Sequence, residues 1–132
     1  MILVDTSVLI SFLRGEENSE VNKLIEIIDR GISFGINYFI YQELLQGVSS
    51  EDQFNKLKDY LDSLKFFELK RGKDSFADAS KIYFNCKKNG ITIRSTIDCL
   101  IVQTAIENNL LLLHNDRDFT MISKIYKNLS FL

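Results

Sequence analysis

At 132 residues with 45% hydrophobic side chains, the chain is one domain's worth, able to bury roughly two-thirds of the surface its unfolded form exposes and too short for a second independent core. Its 16 Lys and Arg against 18 Asp and Glu leave a net charge of -2, which excludes a strong overall field drawing it to nucleic acid. The absence of proline and the presence of only 6 glycines exclude Pro- or Gly-rich linkers and low-complexity tails.

The chain opens on an apolar run without polar alternation, Ile2-Leu3-Val4, the pattern of a strand buried on both faces of a parallel sheet. It stops at Asp5. Thr6 and Ser7 can cap a following helix whose broad apolar face is Val8, Leu9, Ile10, Phe12 and Leu13. Residues 15–19 read as a turn and cap, and Val21, Leu24, Ile25, Ile27 and Ile28 recur at helical spacing until Arg30-Gly31. A short strand is predicted over 32–36, a helix carrying Glu43 over 39–46, an amphipathic helix over 51–64 and a brief strand over 65–69.

Lys73 to Asn89 reads as a long helix with Gly90 as its C-cap, and a loop over 91–95 leads into a helix over 96–108. Leu110 to Leu113 is a second fully apolar strand pattern, ending in His114-Asn115-Asp116-Arg117-Asp118. A short helix over 119–125 and an edge strand over 129–132 complete the chain. Strands separated by helical stretches predict an α/β fold: a parallel sheet of four to five strands with right-handed crossovers and helices on both faces, in a single domain over residues 1–132.

Charge is distributed unevenly. Residues 1–64 hold 5 basic and 11 acidic side chains, residues 65–94 hold 8 and 3, and residues 95–132 hold 3 and 4. The middle segment could therefore present a basic side to a polyanion although the sum is negative. Cys86 and Cys99 form no CxxC pair and are expected as buried, reduced thiols. No basic segment precedes the apolar start and no small-residue cleavage site follows it. No apolar run approaches the roughly 18 residues of a membrane span. A cytoplasmic location without membrane contact is expected.

Asp98 is the most informative acid. Its helix is apolar nearly all round, with Ile101, Val102 and Ala105 on the aspartate's own face, so an ionised carboxylate there calls for compensation. Taken singly, Asp5, Asp98, Asp116 and Asp118 have plain explanations as caps and turn formers, and Glu43 as a solvated helix residue. Their coincidence of position says more. Asp5 and Asp116 each follow a fully apolar strand, and parallel strands bring both ends to the edge where open α/β sheets bind ligands. Asp98 begins the helix leading into the second of those strands.

Carboxylates gathered there would repel one another, a conflict that a hard divalent cation removes. An all-carboxylate site suits metal-assisted phosphodiester hydrolysis, and no Cys/His spacing suits zinc. A phosphoaspartyl enzyme of another doubly wound fold is disfavoured: Asp5-Thr6-Ser7 lacks a second nearby acid, and no glycine-rich loop opens a helix after a strand.

Leu3-Val4-Asp5-Thr6-Ser7, Gln42-Glu43-Leu44, Thr96-Ile97-Asp98-Cys99-Leu100-Ile101 and His114-Asn115-Asp116-Arg117-Asp118-Phe119 resemble, in order and over essentially the whole chain, the acidic motifs of PIN domains. More narrowly they resemble VapC-type toxins of bacterial and archaeal toxin–antitoxin pairs. The resemblance implies a three-layer α/β/α fold around a twisted parallel sheet and an endoribonuclease with a Mg²⁺ or Mn²⁺ site. Asp5, Glu43, Asp98 and Asp116 would be its catalytic acids, with Asp5, Asp98 and Asp116 on the metal. It further implies Asp118 as an accessory acid, Thr6 as an orienting hydroxyl beside Asp5, an RNA substrate, a homodimer, and an antitoxin whose tail lies near the active-site groove.

The residues themselves leave open whether Asp116 or Asp118 is the closer ligand. Arg94 and Arg117 are candidate RNA phosphate contacts, and Lys70-Arg71-Gly72-Lys73 with Lys87-Lys88 could extend such a track. His114 is expected as a hydrogen-bonded residue at a strand end rather than a general base. The competing class is a non-catalytic PIN-like RNA- or protein-binding module whose acids are structural caps.

Overall fold

The computed structural model describes all 132 residues, Met1–Leu132. Five short strands, β1 (Ile2–Val4), β2 (Phe34–Ile36), β3 (Lys65–Phe66), β4 (Leu111–Leu113) and β5 (Ser130–Phe131), form one parallel sheet in the order β3-β2-β1-β4-β5. The connections carry α1 (Thr6–Leu13), α2 (Ser19–Asp29), α3 (Tyr38–Gln46), α4 (Glu51–Asp62), α5 (Lys73–Lys88), α6 (Thr96–Glu107) and α7 (Arg117–Ser123). From β1 the chain first crosses toward β3 and later returns to the β4 side. Right-handed crossovers in opposite directions place α1–α4 on one face and α5–α7 on the other, giving the three layers expected. No helix is long and apolar enough to cross a membrane.

The two all-apolar runs are the central pair. Val4 lies in register with Leu113, and Leu3, Val4, Leu112 and Leu113 are buried in the main core. Gly35 of β2 is required by close approach, because a Cβ there would stand 2.3 Å from the Lys65 carbonyl oxygen of β3.

Most helices start on side-chain caps that the sequence supplies. Asp5, Asn18, Asn37, Ser50, Ser95 and Asp116 accept from the first-turn N–H groups of α1, α2, α3, α4, α6 and α7. α5 instead follows Gly72, at φ 54°, with no side-chain cap. Its start is held from α6: the Glu107 carboxylate accepts from Lys70 N (2.7 Å), Ser75 Oγ (3.0 Å) and Gln103 Nε2 (2.8 Å).

Most boundaries differ from the sequence reading by a residue or two, and three differences bear on the fold or the site. Residues 67–69 are not strand, since β3 ends at Phe66. β2 lacks the residues 32–33 of the predicted run. α7 starts at Arg117 rather than 119, because Asp116 Oδ1 accepts Asp118 N at 2.9 Å and closes the turn early. Asp118 therefore lies inside the helix instead of capping it. Cys86 and Cys99 are buried free thiols.

Candidate active site

The carboxyl ends of β1 and β4 flank the place where the strand order reverses, and the acids collect there. Asp5 leaves β1 with its backbone N–H donating to Leu113 O at 2.9 Å. Its buried carboxylate is held by Ser7, whose N–H and hydroxyl both donate to Asp5 Oδ2, at 3.0 and 2.6 Å. The same Ser7 Oγ accepts Asn115 N at 3.0 Å, so one hydroxyl ties the β1–α1 turn to the β4–α7 turn. Ser7 was legible in the sequence only as a possible cap, and its pairing with Asn115 spans chain separations that no local pattern records.

Thr6 does not orient Asp5. Its Oγ1 donates to Glu43 Oε1 at 2.9 Å, drawing α3 onto the start of α1, and the hydroxyl that orients Asp5 is that of Ser7. Asp98 sits half-buried in the first turn of α6. Asp116 caps α7 and Asp118 is buried two residues on, in the same first turn. Asp5, Asp98 and Asp116 thus stand at three helix N-termini, where free N–H groups and the helix dipole favour negative charge.

Even so, the carboxylates oppose one another. Burial, and after it the charges of Asp116, Asp5, Asp118 and Glu43, push the Asp98 carboxyl up to about 7. Burial pushes Asp5 up to about 6, against the hydrogen bonds from Ser7, with Glu43 adding to the rise. Asp98 therefore feels the charges of the other four acids, and Asp5 feels that of Glu43.

No three His, Cys, Asp or Glu side chains stand close enough together to enclose an ion directly. The donor set nevertheless fits a hard divalent cation. Its donors are all carboxylate oxygens, their mutual repulsion is relieved by positive charge, and Mg²⁺ takes only one or two carboxylates directly while retaining several waters.

The positive residues are arranged differently from the sequence reading. Arg94 does not stand free as a lone cation: its guanidinium pairs with Asp118 (3.1 Å) and Asp116 (3.0 Å). Arg71 of the expected basic track pairs with Asp78 and Glu107. Arg117 is exposed. His114 accepts Asp116 N on Nδ1 at 3.1 Å and packs against Phe119 and Phe131, and burial pushes its pKa down. It is a neutral structural imidazole at the strand end.

A PIN-domain family model matches residues 2–125. A ribonuclease named VapC11 from Mycobacterium tuberculosis is 29% identical over 128 residues, 95% of this chain and 93% of its own length. Among solved structures, VapBC-1 from nontypeable Haemophilus influenzae superposes with TM-score 0.74 at 18% identity over 100% of this chain and 97% of the other. VapBC2 from Rickettsia felis, bound to a promoter DNA fragment, superposes with TM-score 0.72 at 21% identity, covering 100% and 98%.

Proposed function

The chain belongs to the PIN-domain family, and we propose that it is a Mg²⁺- or Mn²⁺-dependent endoribonuclease acting as the toxin of a toxin–antitoxin pair. One observation carries the reading: the charges of Asp5, Glu43 and Asp116, from separate parts of the chain, all reach Asp98 at the switch point of the sheet. In the division of labour proposed, Asp5, Asp98 and Asp116 would hold the cation, in part through its retained waters, and Glu43, fixed by Thr6, lies on α3. Bound there, a divalent ion would polarise the phosphodiester and activate water for in-line attack. Ser7 keeps Asp5 in one rotamer, and the helix N-termini favour the ionised acids. A ribonuclease name on the mycobacterial relative supports RNA as the substrate.

The test is cleavage of total cellular RNA by purified protein in Mg²⁺ or Mn²⁺ and in EDTA. The reading expects fragments only with the metals. Cleavage undiminished in EDTA would refute metal dependence, and metal binding without cleavage would favour the non-catalytic module.

Two partners belong to the same proposal. An antitoxin segment is assigned to the cavity of about 610 Å³ between α1, α3 and α4, where Ile10, Leu13, Leu44 and Leu57 give apolar walls and Glu43 opens it toward the acids. Restoration of RNA integrity by the cognate antitoxin, and its failure against Leu13→Asp at the exposed wall of the cavity, would test that placement. Homodimerisation is assigned to the exposed aromatic stripe of α5, with Phe76 47%, Tyr83 37% and Phe84 61% exposed. Sedimentation of Phe84→Asp should give a monomer where the unaltered chain gives a dimer, and equal masses would discard the assignment.

A further inference from the structure

One cation already stands beside these acids, and it belongs to the chain. Arg94, in the loop before α6, donates from its backbone N and its Nε to Asp118 Oδ2, at 3.2 and 3.1 Å, and from Nη2 to Asp116 Oδ1 at 3.0 Å. The two acids are used differently. The Asp118 side chain is 4% exposed and receives two of the three bonds, whereas Asp116 is 29% exposed. Asp116 Oδ1 takes Asp118 N at 2.9 Å as well as Arg94, while its Oδ2 accepts from no group of the chain. A carboxylate pinned by two donors on one oxygen has its rotation fixed and its other oxygen left to a ligand.

We propose that Arg94 is a positioning residue of this pocket: anchored by Asp118, it turns Asp116, so that Asp116 and not Asp118 is the acid of this turn that receives the divalent cation. The inference rests on the nuclease reading for the cation, and on the hydrogen bonds alone for the anchor. Arginine is the residue type this job needs, since a planar fork can hold two carboxylates at once and a lysine ammonium on a flexible stem cannot hold the same pair in the same geometry.

Thermal unfolding in EDTA and calorimetric titration with Mn²⁺ test the two halves. In EDTA, Arg94→Ala should lower the unfolding temperature by several degrees, because it leaves the buried Asp118 carboxylate without its counter-charge, and Asp118→Asn should lower it by less, because the amide keeps the hydrogen bonds and gives up only the charge. Asp116→Asn should scarcely move it, since an amide still caps α7. On titration, Asp116→Asn should weaken Mn²⁺ binding at least about tenfold and Arg94→Lys about tenfold, with Arg94→Lys unfolding near the wild-type temperature. Asp118→Asn should stay within about threefold, because its amide oxygen still accepts from Arg94.

Loss of Mn²⁺ binding in Asp118→Asn equal to that in Asp116→Asn overturns the assignment. So does an Arg94→Lys protein that binds Mn²⁺ normally but loses RNA affinity and salt dependence, which would make Arg94 a phosphate contact. If the wild type takes up no Mn²⁺, the nuclease reading falls and the metal half of this one with it. The unfolding series still decides the anchor.

Discussion

Asp98→Asn is expected to abolish RNA cleavage and, in the same molecule, to stabilise the metal-free fold. The loss follows from the placement of Asp98 among Asp116, Asp5, Asp118 and Glu43. A neutral amide there removes one of the charges that make the pocket attractive to a divalent cation, and such a loss should lower kcat by on the order of a thousandfold, about 4 kcal/mol of transition-state stabilisation. The gain follows from the same surroundings. Folding raises the Asp98 carboxyl from 3.8 to about 7, worth about 4 kcal/mol at full strength. Water reaching a half-buried side chain reduces this to on the order of 2 kcal/mol. An asparagine carries none of that penalty, so in EDTA at pH 8 the variant should unfold several degrees above the wild type.

The opposite signs make the experiment discriminating. A structural cap whose only work is to hold the first turn of α6 would be worth a fraction of a kilocalorie as aspartate or asparagine, because Ser95 is already the N-cap of that helix. On that reading, cleavage and stability both survive the substitution unchanged. Unaltered cleavage by Asp98→Asn would remove the acid pocket from the chemistry altogether.

What could be read from the sequence was what local patterning records. Ile2-Leu3-Val4 and Leu111-Leu112-Leu113 declare a buried parallel pair by lacking alternation, and an acid following each is enough to place Asp5 and Asp116 at one edge. Asp98 showed itself because its helix is apolar where a charge should be solvated. Side-chain pairings across the fold left no such trace. Thr6 could be placed beside Asp5 by adjacency, but its hydroxyl goes to Glu43, 37 residues away. Arg94 looked like a free cation because its partners lie 22 and 24 residues downstream. The start of α7 was misplaced for a related reason. Asp116 and Asp118 are equally good caps by residue type, and the Arg94 pairing that buries Asp118 singles out Asp116 as the N-cap.

The second large effect is a pH dependence that a divalent cation should reverse. Asp5 and Asp98 have folded-state pKa values of about 6 and about 7 against 3.8 for the ordinary carboxyl. Between pH 4 and 7 the folded chain therefore holds more protons at these two sites than the unfolded chain does, and stability must fall as the pH rises through that window. Below pH 4 both states are protonated and the penalty is absent; above pH 7 it is fully present, on the order of 5 kcal/mol for the pair once the half-buried Asp98 is discounted for solvent screening. His114 leans the other way, since its pKa is depressed and its contribution is lost as pH falls below the ordinary value of 6.5. The carboxylate effect is therefore read as the difference between wild type and Asp98→Asn. In EDTA that difference should widen from pH 5 to pH 8, with the variant increasingly the more stable. Mn²⁺ at about 100 times its dissociation constant should restore close to 3 kcal/mol to the wild type at pH 8, and far less at pH 5, where protons compete for the same oxygens. A difference that stays flat with pH would mean that neither burial nor the neighbouring charges raise the Asp98 carboxyl, and a Mn²⁺ shift as large at pH 5 as at pH 8 would mean that these carboxylates do not take the ion.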